Sequence, residues 1–305
     1  MTIKETYCGV IVPMITPLDA RGAIDEEGMR RIVSGLVTNR CSPFVAGTTG
    51  ESSSLSDARK AELVRIAVDE AAGRELVYAG IADNCFEESL AKARLYKDLG
   101  ADVVVGHLPC YYPIDADQMR AYFLALADAC PLPVVMYNIP VTTHLSIPLE
   151  LIDELSHHEN IVGIKDSERG DDRLRDSLEL WRDREDFTFH LGWAAMSSYG
   201  LQNGLDGIIP SSANLVPAVY RGIYDAVRSG DIAEADRLQA IGNEISDYYQ
   251  QGYLLSRSFP IFKAMLYEFG LCGPYAASPM LTLSGEELDK VRAEVRERFG
   301  QYVQH

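Results

Sequence analysis

Short runs rich in β-branched and aromatic residues recur about every thirty residues along the chain, and stretches with helical spacing lie between them. The runs are GVIVPMIT from Gly9, PFVAG from Pro43, LVYAGI from Leu76 and DVVVG from Asp102, then VVMYN from Val134, IVGIK from Ile161, FTFHLG from Phe187 and DGIIPS from Asp206. The intervening SDARKAELVRIAVDEAAG places Leu63, Ile66, Ala67 and Glu70 at helical spacing, so one side of it is apolar. Ser56 is a fair N-cap for that helix, and Gly73 and Gly100 are fair stops. Eight βα units within about 225 residues predict an α/β fold, the (β/α)8 TIM barrel. Continuous apolar strands suit parallel pairing with both faces covered. An open doubly wound sheet more often carries GxGxxG after its first strand, and TPLDARGAID stands there instead.

From about Asp231 the strand signal stops. Residues 1–230 are expected to form the barrel, and residues 231–305 a C-terminal helical extension packed on it. The last helix is expected to open with a capping box of Ser284 and Glu287.

Composition excludes several functions. A net charge of −17 offers no basic stripe for nucleic acid. No apolar run reaches the ~20 residues that span a bilayer. The first twenty residues lack the apolar core and cleavage site of a signal peptide, so a cytoplasmic location is expected. The six cysteines form no CxxC, and the histidines show neither HxxxH nor HExxH spacing, so no metal is expected.

Against this background the sixth run is anomalous. Only seven lysines occur in the chain, and Lys165 ends an apolar strand, followed at once by Asp166. Lysine is among the residues least often buried. Strict alternation would put Ile161, Gly163 and Lys165 on one face, with Gly163 leaving room beneath the lysine stem. If that face is the barrel interior, Lys165 sits at the catalytic, C-terminal end. Apolar walls disfavour the charged form of an amine, and a neutral amine can form a Schiff base with a ketone. The competing reading is a lysine reaching solvent or pairing with Asp166.

Three other strand ends carry chemistry. AGTTGESSSL follows the second strand, where Gly47 and Gly50 bracket Thr48 and Thr49. Such a loop offers amides and hydroxyls to a small carboxylate, or is simply a glycine turn before a helix. VVMYNIP ends the fifth strand with Val135 and Tyr137 on one face, and the tyrosine is either a proton relay or core packing. HLPCYYPID after the fourth strand presents Tyr111 and Tyr112, which read as packing or subunit contact.

GTTGES, YNIP and GIKDS, in this order and spacing, resemble the dihydrodipicolinate synthase and N-acetylneuraminate lyase family. The likeness runs over essentially the whole chain. It implies a class I aldolase that joins or splits pyruvate, or a related 2-keto acid, and an aldehyde, in a homotetramer and without a cofactor. Carried over by motif, Lys165 forms the Schiff base and Tyr137 relays protons. Thr48 links Tyr137 to a second tyrosine from a neighbouring subunit, best matched by Tyr111. Thr49 and the loop at Gly47 hold the pyruvate carboxylate, and Thr142, Gly192, Ile209 and Ser211 fall among the substrate-binding positions.

Departures from the family pattern bear on the substrate. The synthases carry an arginine where this chain has Thr142, and the sialic-acid lyases carry an acidic pair where Gly192 is followed by Trp193, Ala194 and Ala195. Asp57 and Lys60 lie near the positions of the histidines in the lysine-feedback pocket of some synthases. Four readings follow. They are an aldolase with an unassigned aldehyde, the synthase proper acting on aspartate semialdehyde, a 2-keto-3-deoxy sugar acid dehydratase or aldolase, and a silent barrel that binds a keto acid.

Overall fold

The computed structural model describes residues 2–303. All eight runs form strands: β1 Gly9–Pro13, β2 Ser42–Val45, β3 Tyr78–Gly80, β4 Val103–His107, β5 Val134–Asn138, β6 Ile161–Asp166, β7 Thr188–Leu191 and β8 Gly207–Ile208. They pair in sequence order and in parallel, and β1 joins β8 to close the barrel. Both faces of each strand are buried, as the unbroken apolar runs require.

Alternation sorts the side chains into two cores. Ile11, Phe44, Tyr78, Val105 and Val135 fill the barrel. Val10, Val12, Val45, Ala79, Val104 and Met136 point outward against the surrounding helices. The helix Ile3–Tyr7 closes the bottom, with Ile3 and Tyr7 packed against the inner core.

The helix Asp57–Ala71 begins where expected, since the Ser56 hydroxyl accepts from the Arg59 amide at 3.4 Å. It stops at Ala72 and Gly73, both with positive φ, at 50° and 71°. After the barrel's last helix, Pro217–Ser229, come Ile232–Gln250, Leu255–Glu268 and Gly285–Phe299. Their seam with the barrel is partly polar. Ser212 Oγ lies 2.6 Å from the Tyr220 hydroxyl and 2.8 Å from Ser246 Oγ.

Two sequence readings are corrected. Ser284 does occupy the N-cap of the last helix, but its side chain makes no cap bond and Glu287 turns to Arg257, so the capping box does not form. An ion pair with a guanidinium outcompetes a single hydrogen bond to a backbone amide. The alternation expected in β6 also fails. Pairing with β5 shifts by one residue between Val134 and Val135, so Val134 faces Ile161 while Val135 faces Gly163. Ile161 and Ile164 therefore belong to the outer core, and Val162 joins the inner one. A Cβ on Gly163 would meet Thr188 Oγ1 at 2.2 Å, so this glycine makes room for β7 rather than for the lysine stem.

Candidate active site

The irregularity in β6 turns Lys165 into the barrel mouth. Its Nζ lies 4.0 Å from the centroid of the Tyr137 ring and 5.0 Å from that of Phe44. Only 3% of the residue is exposed. Burial alone does not single it out, because Lys60, Lys92 and Lys263 are buried too. Each of those meets a carboxylate: Lys60 meets Asp57 at 3.0 Å, Lys92 meets Asp83 at 2.8 Å, and Lys263 meets Glu51. Among the described residues no carboxylate or hydrogen-bond partner engages the Lys165 amine.

Asp166 is not that partner, because it points away from the mouth. It accepts from Arg173 Nε at 2.7 Å, Asn138 Nδ2 at 2.9 Å and the Glu168 amide at 2.8 Å. The competing reading of Lys165, as a surface or paired lysine, is thereby removed.

His190 flanks Lys165 across β7, and the two residues are Cα partners. It is fully buried, with Nε2 2.9 Å from Thr188 Oγ1, and burial pushes its pKa down to about 3 from 6.5. The lysine thus has a neutral imidazole on one side and a phenol on the other. An unfolded chain takes up the histidine proton near 6.5, whereas the folded barrel refuses it until about 3, so acid favours unfolding between these limits. We expect the urea midpoint to fall as the pH drops from about 6.5 to about 4.5, above most carboxylate titrations. The associated loss approaches about 1 kcal/mol per pH unit. His190→Gln flattens this dependence, and parallel curves for the two proteins would refute it.

The GTTG loop faces the lysine from β2. The Gly50 amide donates to the Gly47 carbonyl at 3.1 Å and the Glu51 amide to that of Thr48 at 3.0 Å. The amides of Thr48 and Thr49 and both hydroxyls have no hydrogen-bond partner among the described residues, an arrangement suited to a carboxylate. A Cβ on Gly47 would stand 2.9 Å from the tip of the Phe44 ring, so only glycine lets the loop cross that ring.

Behind the loop, Glu51 adopts a left-handed φ of 58° with its side chain buried. Its carboxylate accepts from the Ala277 amide at 2.6 Å and pairs with Lys263, which also donates to the Tyr275 carbonyl at 2.7 Å. The loop is thereby tied to the C-terminal helices. Sequence reading missed this pair.

Other expected site residues are placed as follows. Ile209 lines the inner core at the mouth, and the Gly192 amide donates to the Asp166 carbonyl at 2.7 Å. The Thr142 hydroxyl donates to the Ile139 carbonyl at 3.3 Å. Ser211 Oγ lies 2.6 Å from the Tyr249 hydroxyl of the extension. Tyr111 is not brought to Tyr137 within the chain: it is 76% exposed and packs edge-on against Tyr112. Its loop is nonetheless fixed, because Asn84 Oδ1 accepts from the amides of Cys110 and Tyr111 at 2.9 and 3.1 Å. His107 and His190 also stand at the mouth, and metal spacing does not single them out. The alternation of Val103, Val105 and His107 was the signal available for the first.

Fold and mouth together define a class, the (β/α)8 barrel, here with a buried lysine at its C-terminal mouth that no carboxylate meets among the described residues. The sequence model of the dihydrodipicolinate synthetase family matches residues 6–298, and the chain belongs to that family. A 4-hydroxy-tetrahydrodipicolinate synthase of Alkalilimnicola ehrlichii is 31% identical over 291 residues, covering 95% of this chain and 98% of its own. An uncharacterized DapA-like lyase of Thermofilum pendens is 31% identical over 304 residues, covering 97% and 98%. The dihydrodipicolinate synthase structure from Bacteroides thetaiotaomicron superimposes with a TM-score of 0.89 at 28% identity, over 96% of this chain and 98% of that one. YagE, a prophage protein of the dihydrodipicolinic acid synthase family from E. coli K12 in complex with pyruvate, gives 0.89 at 25% identity, over 95% and 98%. Membership makes the chain a lyase of the pyruvate-aldolase class. No helix of the described residues is long and apolar enough to cross a membrane.

Proposed function

We propose that the protein joins or splits a 2-keto acid, pyruvate in the simplest case, and an aldehyde through a Schiff base on Lys165. One observation carries this reading: Lys165 is the buried lysine that no carboxylate meets among the described residues, set at the mouth beside Tyr137 and Phe44. A primary amine that no counter-ion holds is free to add to a keto carbon and form a Schiff base. The pyruvate complex of the E. coli K12 relative supports the keto-acid half.

The amine adds to the keto carbon and water leaves, giving an imine. The imine draws electrons from the adjacent carbon, which gives up a proton and becomes an enamine that adds to the aldehyde. The imine is itself the electron sink, so neither a metal nor an organic cofactor is required. Thr49 and the Thr48 and Gly47 backbone hold the keto acid's carboxylate. Tyr137 moves the protons, linked through Thr48 to the partner subunit's Tyr111. That last role requires a homo-oligomer, a tetramer in our reading, and accounts for a tyrosine left 76% exposed in one chain. Ser211, Ile209 and Gly192 line the aldehyde side with Thr142, which has no charge to offer a second carboxylate. We assign the enzyme to the cytoplasm, with no nucleic-acid or membrane partner.

The test is trapping with borohydride in the presence of pyruvate, read by intact mass. An adduct of one pyruvate per chain is expected, and none would refute the reading. Tyr137→Phe is expected to keep the adduct while turnover falls by about 10²-fold, the usual scale of one general acid–base group. Unchanged turnover would remove the relay role.

A further inference from the structure

Pairing across four strands sets one layer of inward residues at the mouth: His107 beside Tyr137, Tyr137 beside Lys165, Lys165 beside His190. The first of these has no part in the imine chemistry above. His107 ends β4 on the face of Val103 and Val105, which line the barrel. Its ring stands edge-on to Tyr137, with centroids 6.2 Å apart and planes at 64°.

The hydrogen bonds fix its tautomer. Nδ1 lies 2.7 Å from the Leu108 carbonyl oxygen, and a carbonyl only accepts, so Nδ1 carries the proton. Burial holds the pKa of His107 below its ordinary value, and the charge of Lys165 pushes the same way, so the ring is neutral near pH 7. In that state Nε2 is a pure acceptor. Among the described residues nothing donates to it.

A half-buried acceptor in the inward layer at the mouth, beside Tyr137, is complemented by a donor on the substrate. Lys165 no longer serves once its nitrogen is an imine to the keto acid. The donor therefore comes from the second substrate. The β5 loop carries no cation for a carboxylate, since Thr142 stands there with its hydroxyl turned to Ile139. We propose that His107 is a specificity-determining residue: its Nε2 accepts a hydrogen bond from a hydroxyl of the aldehyde partner, which selects a neutral hydroxyaldehyde.

This inference rests on the Schiff-base reading, and the experiment separates the two. Turnover of pyruvate with glyceraldehyde and with propionaldehyde, which has the same carbon chain without hydroxyls, is measured for the wild type, His107→Leu and His107→Gln. The wild type is expected to favour glyceraldehyde in kcat/KM. His107→Leu reduces that preference by about tenfold, the scale of one neutral hydrogen bond, chiefly through KM for glyceraldehyde. His107→Gln, whose amide oxygen also accepts, recovers part of it. Borohydride trapping with pyruvate alone is unchanged in both variants, which shows that the barrel is folded and the lysine active. The same preference in His107→Leu as in the wild type would overturn the proposal. Loss of the adduct in His107→Leu would also overturn it, by placing His107 on the keto-acid side. A wild type that forms no adduct would bring down the Schiff-base reading itself, and this inference with it.

Discussion

Lys165→Ala is expected to form no borohydride-stable adduct with pyruvate and to lose turnover by at least about 10³-fold, because the nucleophile itself is gone. Lys165→Arg should behave the same way. A guanidinium keeps the charge and much of the length, but it is not deprotonated in proteins and cannot attack a ketone. The pair of variants separates two roles that either alone would confound. If Lys165 merely attracted an anionic substrate, the arginine would retain activity. An adduct of undiminished yield in Lys165→Ala would move the chemistry to another lysine. The structure leaves few alternatives, since Lys60, Lys92 and Lys263 are each held by a carboxylate.

The second large effect concerns stability. Glu51 and Lys263 meet with both side chains wholly buried. Removing one partner strands the other charge in the interior, at a cost of about 3–5 kcal/mol. Lys263→Met and Glu51→Gln should each lower the melting temperature by about 10 °C in thermal unfolding. The double variant should lose less than the sum of the two, because it leaves no uncompensated charge. Additive losses would show that the two groups act independently. The strained φ of 58° at Glu51 adds a functional expectation. With the charge that holds Lys263 gone, the loop bearing Thr48 and Thr49 is less firmly tied to the C-terminal helices, so KM for pyruvate rises in Glu51→Gln.

Much of this was legible in the sequence because it is local. Eight apolar runs with helical stretches between them specify the barrel, since each run must bury two faces. Lys165, Tyr137 and the GTTG loop were legible because each sits at a strand end and carries its own chemistry. What escaped depends on distance or register. Nothing in GTTGES announces that Glu51 will meet Lys263 in a helix at the other end of the chain. His107 and His190 show no metal spacing, and what marks them is the two-residue period of the strands that hold them. Ser284 and Glu287 had the right spacing for a capping box, but Arg257, distant in sequence, claims the glutamate. Tyr111 is the opposite case: its motif was plain, yet within the chain it is 76% exposed and is not brought to Tyr137.

The irregular pairing of β5 with β6 has a consequence for how such a site can change. A strand assigns its residues to two sides by parity, and Ile161 lies on the outer side. Counted in strict alternation from Ile161, Lys165 would also face outward, into the helices, and Asp166 would enter the mouth. One extra residue in β6, Val162, set opposite the step from Val134 to Val135 of β5, reverses that count. The deletion of a single residue from Val162–Gly163 would therefore do more than loosen a strand: it would exchange an amine for a carboxylate at the centre of the barrel. Which functional group enters the mouth is set by a register shift at a distance from both Lys165 and Asp166.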